Sequence, residues 1–464
     1  MLAIVSACGS GTSGKASVAP TSTAAGTAAA TATATAQGTE TPVTLTVQYP
    51  KADNPVSVAN ADKGIAMFLE KYKNVTIKKN DWQYSPNEIG IKMAAHQAPS
   101  AFSTYATEGK MLVEHGWAAD LSPFMAEYDR AGEFNKSLSE VFTVNGKLYG
   151  IPMNAYITGV ILNKKLFEEK NVPLPPLDWT WDDLYNAAKA IADPAKGIAG
   201  FAPMGKGNEA GWNWTNFLYQ AGGEAQQVAD GKVKSTFQSD AGVKAMEFYK
   251  KLRWEANALP QNWALNYSDT YNLFKQGRVA IVLGSNNNIE DAVNNGGMNK
   301  DDIVLMPMPS MEKGGKQVGV LGGNFLIVNP QESTDVQKYA FIYNTWSLFS
   351  DTYVNDVRRD LESRKSKGQI LVPNVADYWN PGSEFDKKVQ ALYGEFPDTV
   401  YKLDQKVKER TKGLPEPAYS AQDNYSAITN VIQEVLTDKN ADVKALLGQA
   451  ATNFDKDFLS KVTP

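Results

Sequence analysis

The chain has 464 residues but only one cysteine, Cys8, and two histidines, His96 and His115. A single thiol forms no disulfide within its own chain, and no His or Cys near Cys8 could share a metal with it. His96 falls in an expected helix and His115 at a helix end, which leaves little material for a His-centred triad or a His-rich zinc site. The expectation is a protein with no cofactor, no metal and no catalytic residue. Excess charge is also missing. The formal net charge is -5 with both signs mixed along the chain, and no basic stripe offers itself to nucleic acid. Beyond the N-terminus no apolar run approaches the roughly 20 residues of a membrane span.

What is present begins at Met1. Residues 1–7 are an apolar run ending in small side chains, the character of the back half of a secretory signal. Val5-Ser6-Ala7-Cys8 resembles a bacterial lipobox, which implies lipid on Cys8; no Lys or Arg precedes it, so residues 1–8 read as a truncated signal peptide. Two or three acyl chains make a stable anchor, because each buried methylene contributes roughly 0.8 kcal/mol. Residues 9–41 are almost entirely Ala, Thr, Ser and Gly, with Lys15 and Glu40 as the only charges. Such a segment buries too little apolar surface to offset its ordering entropy and reads as a disordered tether. Two glycine-rich matches are discounted. Gly9 to Lys15 imitates a phosphate-binding loop but has Ala16 where Ser or Thr should bind magnesium, and Gly205 to Ala210 imitates a dinucleotide fingerprint with aromatic residues crowding the place where a helix should open.

From residue 42 onward, strand-like and helix-like patterns alternate. Val43 to Tyr49 alternates at period two, Ile65, Met67, Phe68, Leu69 and Tyr72 crowd a helical face, and Val75 to Ile77 returns as a strand. A helix is expected from Pro86 to about Gln97, a strand near Ala101 to Tyr105, and a helix over Lys110 to His115 that closes at Gly116. Asn145-Gly146 is a hairpin turn pair, with Pro152 limiting the ladder beyond it. Thr180-Trp181-Asp182-Asp183 has the form of a capping box opening an amphipathic helix through Leu184, Ala188 and Ile191. Repeated alternation argues a parallel sheet covered by helices.

At these residues a resemblance becomes specific. The stretches DLSPFM, GKLYGIPM, VILNKKLFEEKNVPLPPLDWTWDDLYNAAKAI, LYQAGGEA and FKQGRVAIVLGS together resemble the family 1 extracellular solute-binding proteins, the carbohydrate receptors of bacterial ABC importers, over roughly residues 43–460. The resemblance implies a two-lobed α/β fold like that of periplasmic binding proteins, each lobe a mostly parallel sheet flanked by helices, with the ligand cleft between lobes. It implies crossings near Asn154 to Thr158, Val318 to Gly322 and Leu371 to Val375. Lobe one would then be 42–155 and 319–371, and lobe two 156–318 and 372–464. The implied partners are a small-molecule carbohydrate, membrane-spanning ABC permease subunits and the membrane itself through the lipid, with the protein extracytoplasmic and a monomer.

A sugar presents apolar C–H faces to aromatic rings and hydroxyls to amides, carboxylates and backbone groups, so its pocket needs both kinds of residue on loops. Stretches with that mixture supply the candidates: Trp82 and Tyr84; Tyr105 and Glu108; Trp212, Asn213 and Trp214; Asn286, Asn287 and Asn288; Gly323 and Asn324; and Tyr425 within Gln422 to Tyr425. Trp179 and Trp181 are assigned to packing. The competing class is a secreted glycosidase or lyase, which needs only two carboxylates at a suitable separation. A sugar-sensing binding protein without a transport role would share nearly the whole sequence.

Overall fold

The computed structural model describes residues 41–53, 55–350 and 352–462. Cys8, its lipobox and the tether through residue 40 lie outside the described residues. In chain order the strands of the two main sheets are β1 (Val43–Gln48), β2 (Val75–Asn80), β3 (Ala101–Tyr105), β4 (Ile151–Ile157), β5 (Gly159–Asn163), β6 (Ala199–Phe201), β7 (Val279–Gly284), β8 (Ile303–Met306), β9 (Val318–Val328) and β10 (Lys412–Pro415). The helices that position the site are α1 (Trp181–Ile191), α2 (Asn208–Gln220), α3 (Asp240–Trp254), α4 (Tyr267–Lys275), α5 (Asn286–Asn294) and α6 (Ala421–Thr437).

The first sheet has the order β10-β9-β3-β1-β2, with β4 on the other edge of β9. Its core face is written in β1, where Val43, Leu45 and Val47 are buried and alternate with more exposed residues. Strand β1 runs parallel to both β2 and β3, whereas β9 runs antiparallel to β3 and β4 and parallel to β10. Pro152 does not end β4: the strand runs on to Ile157, with Pro152 itself opposite Phe325 of β9. The second sheet has the order β8-β5-β7-β6. All six residues of β7 are buried, as expected of a strand covered on both faces. Both sheets are thus mixed, because β5 and β9 run against neighbours in a pattern that is otherwise βαβ.

Local signals hold where chemistry fixes the backbone. Asn145 and Gly146 take φ of 50° and 76°, the left-handed pair of a tight hairpin, between the short strands Thr143–Val144 and Lys147–Leu148. Gly116 closes its helix at φ 67°. Thr180 Oγ1 accepts from the Asp183 N–H at 3.3 Å, and the Asp183 carboxylate accepts from the Thr180 N–H at 2.8 Å, the reciprocal box that starts α1. The helix expected from Pro86 begins later, at Ile89.

The largest correction concerns Gly211 to Asn216, read from its glycine, asparagines and aromatics as a loop, with those aromatics also read as crowding out a regular helix. The stretch lies in the regular helix α2, whose buried Ala210, Trp214, Phe217 and Leu218 mark a helical core face. Gly211 makes this packing possible: a Cβ there would lie 2.2 Å from the Tyr425 carbonyl oxygen, so only glycine lets α2 sit this close to α6. Trp179 and Trp181 are core residues, the latter stacked on Phe248 at 4.9 Å. The core of the first sheet includes Leu45, Phe68, Phe341, Trp379 and Phe385. Trp379, Phe385 and β10 all come from residues 372–464, which the expected boundaries give wholly to lobe two; their packing sets them with the first sheet.

Candidate functional site

A cavity of about 730 Å³ is walled by strand ends of the first sheet and by helices packed in the core of the second. From the first sheet, β3 ends at Tyr105, 45% exposed, and the next turn brings Thr107. Strand β4 supplies Asn154 and Tyr156, two residues apart and so on one face, and β9 supplies Gly323 and Asn324, paired with Ala155 and Asn154. Gly323 has φ 142°, and a Cβ there would lie 2.2 Å from the Asn154 carbonyl oxygen.

The opposite wall is made by the first turns of four helices. Asn208, Glu209 and Trp212 come from α2, Tyr267 from α4, Asn287 from α5, and Gln422 and Tyr425 from α6. Asn208 donates to Gln422 Oε1 at 3.2 Å, joining α2 to α6. Backbone N–H groups in a helix's first turn carry partial positive charge. No Lys, Arg or His lines the cavity among the described residues.

Rings dominate the lining. Tyr156 meets Trp212 edge to face at 6.4 Å and 79°, with Tyr105, Tyr267 and Tyr425 around them. The Tyr425 hydroxyl donates to Glu416 at 2.6 Å. Glu416 is half-buried, and a Cβ on Gly322 would lie 2.6 Å from the Tyr156 hydroxyl and 3.0 Å from Glu416 Oε1, so a bare backbone lets both groups converge. Burial pushes the Glu416 carboxyl up to about 7; the Tyr425 hydrogen bond opposes this and the Glu108 charge adds to it.

The folded value lies above the ordinary 4.5, so the neutral carboxyl's contribution to stability is complete below about 4.5 and is lost as pH rises through about 7. Glu416→Gln, which mimics the neutral form, is therefore expected to melt higher than the parent at pH 8 and much closer to it at pH 5. Equal differences at the two pH values would show that Glu416 titrates as an ordinary surface carboxylate.

Of the residues expected from the sequence, Tyr105, Trp212, Asn287, Gly323, Asn324 and Tyr425 line the cavity. The others do not. Tyr84 is buried, stands edge-on to Tyr105 at 5.9 Å and donates to Glu108 at 2.9 Å. Glu108, buried and raised in pKa by that burial, also accepts from Thr107. These two fix the Tyr105–Thr107 turn from behind. Trp82 packs beside Tyr84 and donates to Glu88. Asn213 is buried and accepts from the Tyr249 hydroxyl at 3.1 Å. Trp214 is fully buried in the second-sheet core, because the α2 helix turns it about 200° away from Trp212. Asn286 is buried against Asn287, while Asn288 caps α5 through the Ser285 N–H and donates to the Tyr267 hydroxyl at 2.6 Å.

Sequence reasoning missed Thr107, Asn154, Tyr156, Asn208, Glu209, Tyr267, Glu416 and Gln422. Two signals were available: Glu416 stands between Pro415 and Pro417, an acid on a stiff segment, and Asn266 with Asp269 forms a capping box that presents Tyr267 at a helix start. A second cavity, about 760 Å³, also has Asn287 in its lining.

Two mixed sheets around a cavity lined by rings, amides and carboxylates define a protein built to hold a polar small molecule. The chain belongs to the bacterial extracellular solute-binding proteins, whose family model matches residues 56–342. It is 27% identical over 172 residues to a putative binding protein of Brucella abortus, a match covering 37% of this chain and 40% of that protein. It is 24% identical over 289 residues to the lipoprotein LipO of Bacillus subtilis, covering 58% and 57%. Its fold matches an ABC transporter solute-binding protein of Thermotoga lettingae bound with α-D-tagatose, with a TM-score of 0.63 at 21% identity, over 89% of this chain and 99% of that one. The family is one of binding proteins.

Proposed function

We propose that this protein captures a carbohydrate in the cavity between its two sheets and delivers it to the membrane-spanning permease subunits of an ABC importer. The observation that carries this reading is the convergence of five aromatic rings with amides and carboxylates on one cavity. The rings suit the C–H faces of a sugar and the polar groups its hydroxyls. The tagatose-bound structural neighbour supports the same class of ligand.

The two sheets act as lobes divided near residues 155, 318 and 371, with Trp379, Phe385 and β10 moving with the first sheet. The protein works as a monomer on the outer side of the membrane. Lipid on Cys8 anchors it there, a reading supported by the lipobox-like residues 5–8 and the lipoprotein relative. Cys8→Ala, expressed behind a complete signal sequence, is expected to lose lipid labelling; unchanged labelling would remove the anchor from this account.

Glu209 and Glu416 both line the cavity, and Glu416 holds its proton to about pH 7, a property shared with the general acids of glycosidases. Binding is therefore separated from turnover by experiment. A thermal-shift screen of the purified chain against a sugar panel should find ligands that raise the melting temperature, since a ligand of the native state adds RT ln(1 + [L]/Kd). Prolonged incubation should return the sugar intact. Steady protein-dependent product formation would place the chain with the secreted hydrolases or lyases instead.

A further inference from the structure

Two arginines differ from the other five. Arg130, Arg358, Arg359 and Arg364 meet carboxylates, and Arg410 donates to Gln317. Arg253 and Arg278 have no ion-pair or hydrogen-bond partner for their guanidinium groups among the described residues, and the Arg253 Nε is buried without an acceptor. Arg253 lies over the ring of its chain neighbour Trp254, at 5.3 Å. These two side chains line the same cavity, about 460 Å³, which shares no residue with the carbohydrate site.

The fold holds them there. Arg253 comes from the last turn of α3, and Arg278 lies between α4 and β7, its backbone N–H bonded to the Leu273 carbonyl at 3.0 Å. The Arg278 guanidinium lies against Gly197, where a Cβ would fall 2.4 Å from Nη2. Asn262, Asn272 and Gln276 add amide groups to the wall. The single carboxylate in the lining, Asp269, is already engaged by Lys206 at 3.0 Å and by the Asn266 cap. Two positive charges therefore share a recess with no counter-charge of their own. Burial holds the Arg253 guanidinium below its usual pKa, as expected of a charge with no partner.

Guanidinium groups bind oxyanions through paired N–H donors, with more geometric specificity than an ammonium offers. A half-open recess with two free guanidinium groups and several amides meets the needs of such a ligand. We propose that this cavity binds a small oxyanion-bearing molecule, a phosphate or carboxylate compound, held by Arg253 and Arg278 independently of the carbohydrate. The site offers selectivity for oxyanions over halide, because the halide cannot use paired donors.

The test is a thermal-shift titration of the full chain with inorganic phosphate and with malonate, against sodium chloride at matched ionic strength. Phosphate or malonate should raise the melting temperature beyond chloride, the rise growing with the logarithm of concentration. The stronger of the two identifies the preferred anion. Arg278→Gln and Arg253→Gln should each weaken that response at least tenfold in concentration while leaving sugar binding unchanged. Arg278 is exposed, so its variant keeps the fold even if the Arg253 variant does not. Equal responses to chloride and the oxyanions, or an undiminished response in Arg278→Gln, would overturn the proposal.

Discussion

Trp214→Ala is expected to destabilise the chain by about 3–5 kcal/mol, the range for removing a large aromatic from a packed core. Trp214 is fully buried among the residues that join α2 to the second sheet, and the space it leaves has rigid neighbours. Gly242 is one of these: a Cβ there would lie 1.8 Å from the Phe237 carbonyl oxygen, so the backbone is already at closest approach. Denaturant unfolding of the parent and the variant measures the loss. The binding site of the surviving folded fraction should be little altered, because Trp214 does not line the cavity. A loss under 1 kcal/mol together with abolished binding would return Trp214 to the ligand site and reverse the helical reading of this stretch.

Trp212→Ala, two residues away, is expected to do the opposite: lose affinity while remaining folded. Trp212 is half-buried and meets Tyr156 edge to face in the cavity wall, so its ring packs partly against the core and partly toward the cavity. An aromatic contact contributes about 0.5–1.5 kcal/mol beyond its buried area, and each 1.4 kcal/mol is tenfold in affinity. Replacing Trp212 alone should weaken sugar binding about tenfold or more, and replacing Tyr156 as well should weaken it further. Because Trp212 and Tyr156 come from opposite walls, a ligand that touches both favours the closed arrangement by its differential affinity. Small-angle scattering should show a smaller radius of gyration with ligand in the parent and no such change in the Trp212→Ala, Tyr156→Ala double variant. Normal affinity and normal compaction in the double variant would move the ligand elsewhere.

Neighbours with opposite roles show why part of the site was hidden in the sequence. Trp212, Asn213 and Trp214 are equivalent as a loop, and all three were candidates on that reading. On a helix they point in three directions, to the cavity, to the Tyr249 hydroxyl and to the core. The helix itself was obscured by Gly211, which reads as a breaker by propensity and is in fact the point where α2 meets the Tyr425 backbone. Similarly, Tyr84 and Glu108 have the composition of ligand groups but support the Tyr105 turn from behind, whereas Tyr156 lies in a strand whose alternation says only which residues share a face.

The sequence alone determined what is written in local chemistry and composition. Period-two and helical apolar patterns gave the α/β class, Asn145-Gly146 and the Thr180 box gave their turn and helix start, and the scarcity of Cys and His left little material for His-centred chemistry. Those signals act over a few residues, through backbone sterics and the burial of one face. The tertiary structure alone decided which residues share a cavity. Tyr105, Tyr156, Trp212, Tyr267 and Glu416 are brought together from five separate segments by strand register and by close helix approach, and the separate pairing of Arg253 with Arg278 arises in the same way. Such convergence depends on long-range packing, in which a glycine or a one-residue rotation decides whether a side chain faces ligand or core.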